Sequence, residues 1–170
     1  SRVVDAYDRD SMIYSDGAGA CVLEENNSIP KGILGFADQS YTAEEAYFLF
    51  YGSSYNPNET QTTNYIKMHG RKIYEFALNN VPLAMKAALD KTGIGIEKVK
   101  KVLIHQANEK MDEAIINRFY QLYEMEIPED IMPMSIHLLG NSSVATVPTL
   151  FDLILKNKLE NHSIEEGDII

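Results

Sequence analysis

Tryptophan is absent from the 170 residues, cysteine occurs once, and no apolar run is long enough to cross a bilayer. The single Cys21 rules out an internal disulfide and the cysteine-rich spacing of a structural zinc site. It also points to a reducing, cytoplasmic setting. The longest apolar helix candidate, residues 144–155, is broken by Pro148 and Asp152. It falls short of the roughly 20 residues that a span needs, so no membrane partner is expected. The opening residues lead into charge with no apolar stretch behind them, unlike a signal peptide. Basic residues are few: 15 against 25 acids, a net charge of −10 that argues against nucleic acid as a partner. The chain reads as cut at both ends, with no initiating methionine and a final Glu166-Gly167-Asp168-Ile169-Ile170 that turns into a strand and stops. A strand left without its neighbour is an unpaired edge.

An apolar fraction of 45% with 24% charged residues describes an ordinary globular domain. A chain of this size buries roughly 70% of the surface its unfolded form exposes, so a single domain with a real core is expected. The positive charge is not evenly spread. Ten of the 15 basic residues lie between Lys67 and Arg118 against six acids, an excess of +4 there that leaves −14 elsewhere. Two readings stand: solvated helix faces, or a docking surface for an acidic partner.

Small and apolar residues alternate over 12–24, around Asp16-Gly17-Ala18-Gly19-Ala20. The pattern predicts a strand paired as a hairpin, across 25–31, with a second strand at 32–37. Gly, Ser, Asn, Pro and Thr predict a long loop from Tyr51 to Thr63. Residues 72–91 carry Ile73, Phe76, Ala77, Val81, Ala84, Met85, Ala88 and Leu89 at helical spacing, with Pro82 as a kink or division. Thr92-Gly93-Ile94-Gly95 stops that helix. Residues 101–105 are short and apolar enough for a buried parallel strand. A helix is predicted over 109–124 with Met111, Ile115, Phe119 and Leu122 on one face, and another, capped by Ser142 or Ser143, through Lys156. Alternating strands and helices predict an α/β layered domain with a mixed sheet.

Asp16-Gly17-Ala18-Gly19-Ala20 lacks the third glycine of a dinucleotide loop and continues a strand instead of opening a helix. Its small residues fit a place where another backbone packs close. Cys21, inside Ala20-Cys21-Val22-Leu23, reads as a buried and inert thiol. Of four histidines only His105 follows a short apolar strand, where open α/β sheets present groups to ligands. The others lack metal-site spacing. Val102-Leu103-Ile104-His105-Gln106-Ala107-Asn108 thus delivers a histidine and amides to a strand end, and Gly140-Asn141-Ser142-Ser143 brings a glycine-hinged asparagine. Together they are suited to stabilise a developing oxyanion. No convincing nucleophile accompanies them.

His105-Gln106-Ala107-Asn108 and Gly140-Asn141-Ser142-Ser143-Val144-Ala145-Thr146-Val147-Pro148 resemble the two motifs of the 3-oxoacyl-(acyl carrier protein) synthase III family. Ser15-Asp16-Gly17-Ala18-Gly19-Ala20 resembles that family's glycine strand, Met68-His69-Gly70 its pre-helix segment, and Glu166-Gly167-Asp168 the approach to its last strand. The resemblance implies a thiolase-like layered α/β/α domain, the C-terminal half of a two-domain fold spanning residues 1–170. It implies an acyltransferase that loads an acyl group from coenzyme A onto a cysteine, then condenses it with malonyl on acyl carrier protein to begin fatty acid synthesis. His105 and Asn141 would be the histidine and asparagine of a Cys-His-Asn triad. A neutral imidazole N–H and an amide N–H would then receive the enolate oxygen.

By the same resemblance Ala107, Asn108, Met68, Gly70 and Gly140 would lie along the substrate's pantetheine arm. Lys110, with Lys67, Arg71 and Lys72, would dock the acidic carrier protein. No metal or resident cofactor is implied, since coenzyme A thioester and carrier phosphopantetheine are substrates. A homodimer of the full-length protein is implied, and a chain without the cysteine-bearing half would not condense by itself. A specialised condensing enzyme of secondary metabolism and a non-catalytic thiolase-like partner subunit are the alternatives.

Overall fold

The computed structural model describes residues 3–25, 32–60 and 62–170. Its longest element, α1 (Gly70–Thr92), follows the predicted apolar spacing and ends at Gly93, whose φ of 69° belongs to the left-handed region that stops helices. α2 (Glu109–Gln121) begins at Asn108, whose side chain accepts from the Met111 N–H at 3.3 Å. That is an asparagine N-cap. Two short helices, α3 (Ile136–Leu139) and α4 (Thr146–Leu155), complete the helical set among the described residues. The expected serine cap is not made, because α4 is entered through a 3-10 turn over Ser143–Ala145.

α2 is the hub of the core. Met111 and Ile115 pack with Ala77 and Leu78 of α1, while Ile116, Phe119 and Tyr120 pack with Ile96 and Ile131. The helix therefore buries two adjoining stripes, wider than the single predicted face. Leu122, expected on that face, is the C-cap and is exposed.

Pro82 lies inside α1 without dividing it. A proline has no N–H for the carbonyl four residues earlier, here that of Leu78. Arg118 of α2 fills the vacancy: its Nη1 donates to the Leu78 carbonyl at 2.8 Å and to Asn79 Oδ1 at 3.0 Å. One guanidinium thus repairs the proline gap and ties α1 to α2.

Extended segments depart most from expectation. The predicted loop from Tyr51 instead contains a strand end: β1 (Leu49–Ser53) pairs antiparallel with β2 (Asn64–Met68), Leu49 opposite Met68 and Ser53 opposite Asn64. Aromatic Phe50 and Tyr51 favour a pleated strand, and only the Gly/Asn/Pro-rich middle loops out. The predicted 12–24/32–37 hairpin is not formed among the described residues, and 26–31 of its turn lie outside them. Arg9–Ile13 is a 3-10 turn, and 15–25 carry no regular structure and no ladder, Val22 being 95% exposed. A strand needs a partner strand, and among the described residues the pairing stops at the single bridge of Tyr14 with Asn141. Cys21 is consequently exposed, not buried.

The close packing expected at the glycines is real but made by side chains. A Cβ on Gly17 would sit 2.8 Å from Ser142 Cβ, and one on Gly19 would overlap the Pro148 ring. Residues 33–41 lie along α1, where Lys91 donates to the Phe36 carbonyl at 3.0 Å and Tyr41 stacks edge-on against Phe76. Residues 101–105 are mostly part-buried and carry no strand ladder. Val102 N–H bonds the Ile131 carbonyl, and the parallel pairing falls just before, as a single bridge between Val99 and Ile169. No helix among the described residues is long and apolar enough to cross a membrane.

Arg118→Leu should cost about 1 to 3 kcal/mol by stranding the Leu78 carbonyl. In a Pro82→Ala background the restored N–H takes that carbonyl, so the same change should cost clearly less in chemical denaturation. Equal costs in both backgrounds would refute the repair.

Candidate active site

Gly140 makes the site's sharpest turn. Its φ of 67° and ψ of −170° lie in a region essentially confined to glycine, and an added Cβ would stand 3.1 Å from that of Ser15. The next residue is pinned on both sides. Asn141 N–H donates to the Ile13 carbonyl at 2.8 Å, and its carbonyl accepts from Ser15 N–H at 2.9 Å. This forms a parallel bridge opposite Tyr14. Asn141 is 6% exposed.

Its side chain is oriented as well. Asn141 Oδ1 accepts from Ser143 N–H at 2.9 Å, an Asx turn that leaves the amide nitrogen as the outward donor. Ser143 adopts φ 56°. Its carbonyl meets His105 Nδ1 at 3.0 Å. The two expected catalytic side chains are therefore joined through one backbone unit, with Asn141 holding Ser143 and Ser143 holding His105.

A carbonyl oxygen only accepts, so the Ser143 contact puts the proton on His105 Nδ1. While neutral, the ring then offers a lone pair at Nε2, and it offers a second N–H only after gaining a proton. The sequence reading of a neutral imidazole N–H aimed at an oxyanion needs this correction: the neutral ring's donor is spent on Ser143.

Gln106, between the two expected functional residues, is a fully buried strut. Its Nε2 donates to the Pro133 carbonyl at 2.7 Å, and its Oε1 accepts from Ser135 N–H at 2.9 Å and Ser135 Oγ at 3.3 Å. Ala107 packs beside the α1/α2 cluster, and Asn108 spends its carboxamide oxygen on the α2 cap. Below them lies Asp112, 0% exposed, with no hydrogen-bond partner of full geometry at either carboxyl oxygen. Burial pushes its carboxyl up to about 7, the nearby N–H groups of Ala107 and Asn108 opposing this and the charges of Glu109 and Glu113 adding to it.

Met68 and Gly70 approach from the other side. Tyr14 Oη donates to Met68 Sδ at 3.5 Å, and a Cβ on Gly70 would lie 3.8 Å from Asp10 Oδ2. Since Tyr14 bridges Asn141, the segment 10–15 joins the Met68–Gly70 turn to the asparagine loop. Tyr14 was not singled out from sequence; Ser143 was expected as a helix cap and Gln106 as an amide at the strand end, whereas Ser143 acts through its backbone and Gln106 through buried bonds to Pro133 and Ser135.

The basic set divides. Lys67 is 2% exposed and clamped by Asp5 at 2.6 Å and Asp8 at 3.1 Å, its ammonium 3.5 Å from the Tyr55 ring centre. It is a structural cation and is withdrawn from the docking set. Burial opposes its charge, but the two carboxylates outweigh that and raise its pKa. Burial likewise works against the Asp5 charge, yet Lys67, the N–H groups of Tyr55 and Tyr7, and the Ser54 hydroxyl hold that carboxyl well below its usual range. Arg71 and Lys72 are exposed, Arg71 pairing with Glu75 at 2.9 Å, and Lys110 is exposed on α2. No group of three or more His, Cys, Asp or Glu among the described residues could hold a metal.

The architecture has solved counterparts. A beta-ketoacyl-[acyl carrier protein] synthase III from Thermus thermophilus superposes with a TM-score of 0.60 at 25% identity, over 82% of this chain and 40% of that one. A 3-oxoacyl-[acyl-carrier-protein] synthase III from Aquifex aeolicus gives 0.55 at 26%, over 80% and 38%. The fold is thus a thiolase-like α/β domain. Residues 89–170 match the family model described as 3-oxoacyl-[acyl-carrier-protein (ACP)] synthase III C terminal, and the whole chain is similar to curated synthases III. Beta-ketoacyl-[acyl-carrier-protein] synthases III from Trichodesmium erythraeum and Lactobacillus helveticus are 32% and 30% identical to it, each across the whole chain. The chain spans about half the length of these curated relatives, 50% in both cases.

Gly140→Ala should cost about 1 to 3 kcal/mol through backbone strain. It should also shift the amide resonances of Asn141 and Ser143. A stability unchanged from the parent would contradict the turn described.

Proposed function

We propose that residues 1–170 form the C-terminal domain of a condensing enzyme. The enzyme joins an acyl group from acyl-CoA to malonyl-acyl carrier protein with loss of carbon dioxide, and so initiates fatty acid synthesis. The observation that carries the reading is the Asn141–Ser143–His105 linkage, which holds an amide donor and an imidazole on one short frame. A binding module has no evident need for that frame.

The chemistry follows from the atoms. The acyl-carrying thiol belongs to residues outside this chain. His105 Nε2 takes its proton, the thiolate attacks the acyl-CoA carbonyl, and coenzyme A leaves as its thiolate and takes a proton from solvent, so the ring stays protonated. Loss of carbon dioxide from malonyl breaks a C–C bond and leaves its electron pair as an enolate. Asn141 Nδ2 donates to the enolate oxygen, and the protonated His105 donates from Nε2. The enolate carbon then attacks the acyl thioester. A C–C bond forms, the thiolate leaves, and it recovers its proton from His105. Preorganised donors of this kind contribute about 3 to 4 kcal/mol each in a site shielded from water.

Met68, Gly70, Ala107, Asn108 and Gly140 follow the pantetheine arm in this proposal, Ala107 and Asn108 through backbone as well as side chain. Lys110, Arg71 and Lys72 meet the acidic carrier. Lysine at 110 keeps the charge without the bidentate fork of arginine. Coenzyme A and phosphopantetheine act as substrates, with no resident cofactor. The working protein is a cytoplasmic homodimer, and the 170-residue chain alone does not turn over.

In the full-length enzyme, Asn141→Ala should lower kcat for condensation about 10²- to 10³-fold. Loading of acyl-CoA should persist. Loss of loading to the same extent would argue against the assigned donor role, and activity only with unusual acyl donors would move the enzyme to secondary metabolism. Lys110→Glu should raise KM for malonyl-acyl carrier protein and leave acyl-CoA loading intact. Equal effects on both would remove Lys110 from docking, and measurable condensation by the isolated chain would overturn the division of labour.

A further inference from the structure

We propose that Asp112 is a positioning residue for His105: its carboxylate, beneath the Ala107–Asn108 peptide units at the head of α2, holds the turn that carries the imidazole. Helical side chains lean toward the N-terminus of their helix. Asp112 lies one turn after Asn108 and donates its own N–H to the Asn108 carbonyl at 3.0 Å. Its side chain therefore points back at the turn, where the positive end of the helix favours an anion.

No other task accounts for this carboxyl. It is completely buried, and neither oxygen has a full hydrogen-bond partner. A buried group left short in this way is costly. The Asn108 side chain already caps the Met111 N–H, which leaves the N–H groups of Ala107 and Asn108 as the donors facing Asp112. The charges acting on it are Glu109 and Glu113 of its own helix; the α1 residues packed in the adjoining cluster, Ala77, Leu78, Val81 and Met85, bring none. Its hold on the turn is thus set by its own ionisation. His105 is two residues upstream and has its other anchor at Ser143. The importance of this coupling for catalysis rests on the function proposed above, whereas the coupling itself is measurable without turnover.

Ionisation opposes folding here. Because the folded pKa is raised, the stabilising contribution is complete below about 3.8 and is lost as pH rises toward about 7. Asp112→Asn should therefore gain melting temperature over the parent at pH 8 relative to pH 4.

The test is NMR of the 170-residue chain from pH 5 to 9, following the Asp112 carboxyl carbon, the Ala107 and Asn108 amides and the His105 ring nitrogens. The expected result is one shared step near pH 7. The amides should move downfield as the carboxylate forms and the His105 Nδ1 signal should move with them. The amide step should survive His105→Ala and vanish in Asp112→Asn. Amides that do not titrate, a step that persists in Asp112→Asn, or one that disappears with His105→Ala would each overturn the proposal. The parent titration and His105→Ala decide the matter if Asp112→Asn fails to fold.

Discussion

Everything distinctive about the site depends on a backbone exchange between residues 13–15 and 141. Ile13 and Ser15 grip the main chain of Asn141 from both sides, and this fixes the height and direction of a loop that Gly140 alone could bend. With the main chain fixed, the Asn141 carboxamide has one good use for its oxygen, the Ser143 N–H. That bond aims the Ser143 carbonyl at His105, and the acceptor decides which imidazole nitrogen holds the proton. Chemical polarity at the site is thus a consequence of strand-like pairing some residues away.

The rest of the molecule keeps those partners in register. α2 buries two stripes and starts at the end of the His105 turn, so core packing determines where the imidazole sits. Arg118 ties α1 to α2 across the proline gap. Lys67 with Asp5 and Asp8 fastens β2 to the N-terminal segment, which carries the backbone grip on Asn141. Buried charge serves as a clamp in one place and is left under-satisfied in another. Lys67 is matched by two carboxylates, while Asp112 has only amide N–H groups facing it.

The helices and the two motifs were legible because their signals are local. Apolar spacing outlined α1, Gly93 its end, and the run from Met111 to Phe119 the buried side of α2. His105 and Asn141 were marked by motif, and the fold joins them through Ser143. Extended structure was less legible, since a strand exists only with a partner. Residues 16–25 have strand composition but join no strand ladder among the described residues, whereas Phe50 and Tyr51 found a partner strand in β2. Charge was legible in amount but not in placement. Lys67 looked like its exposed neighbours Arg71 and Lys72 until alternation along β2 turned it inward against Asp5. The His105 tautomer was beyond the sequence altogether, being decided by a carbonyl 38 positions away.

The central claim is that Ser143, held by Asn141, fixes the proton of His105. Long-range proton–nitrogen NMR of the imidazole, at a pH where the ring is neutral, tests it directly. The account predicts a ring protonated at Nδ1 with its lone pair at Nε2. A neutral ring protonated at Nε2 would contradict it and would remove the link between Asn141 and His105.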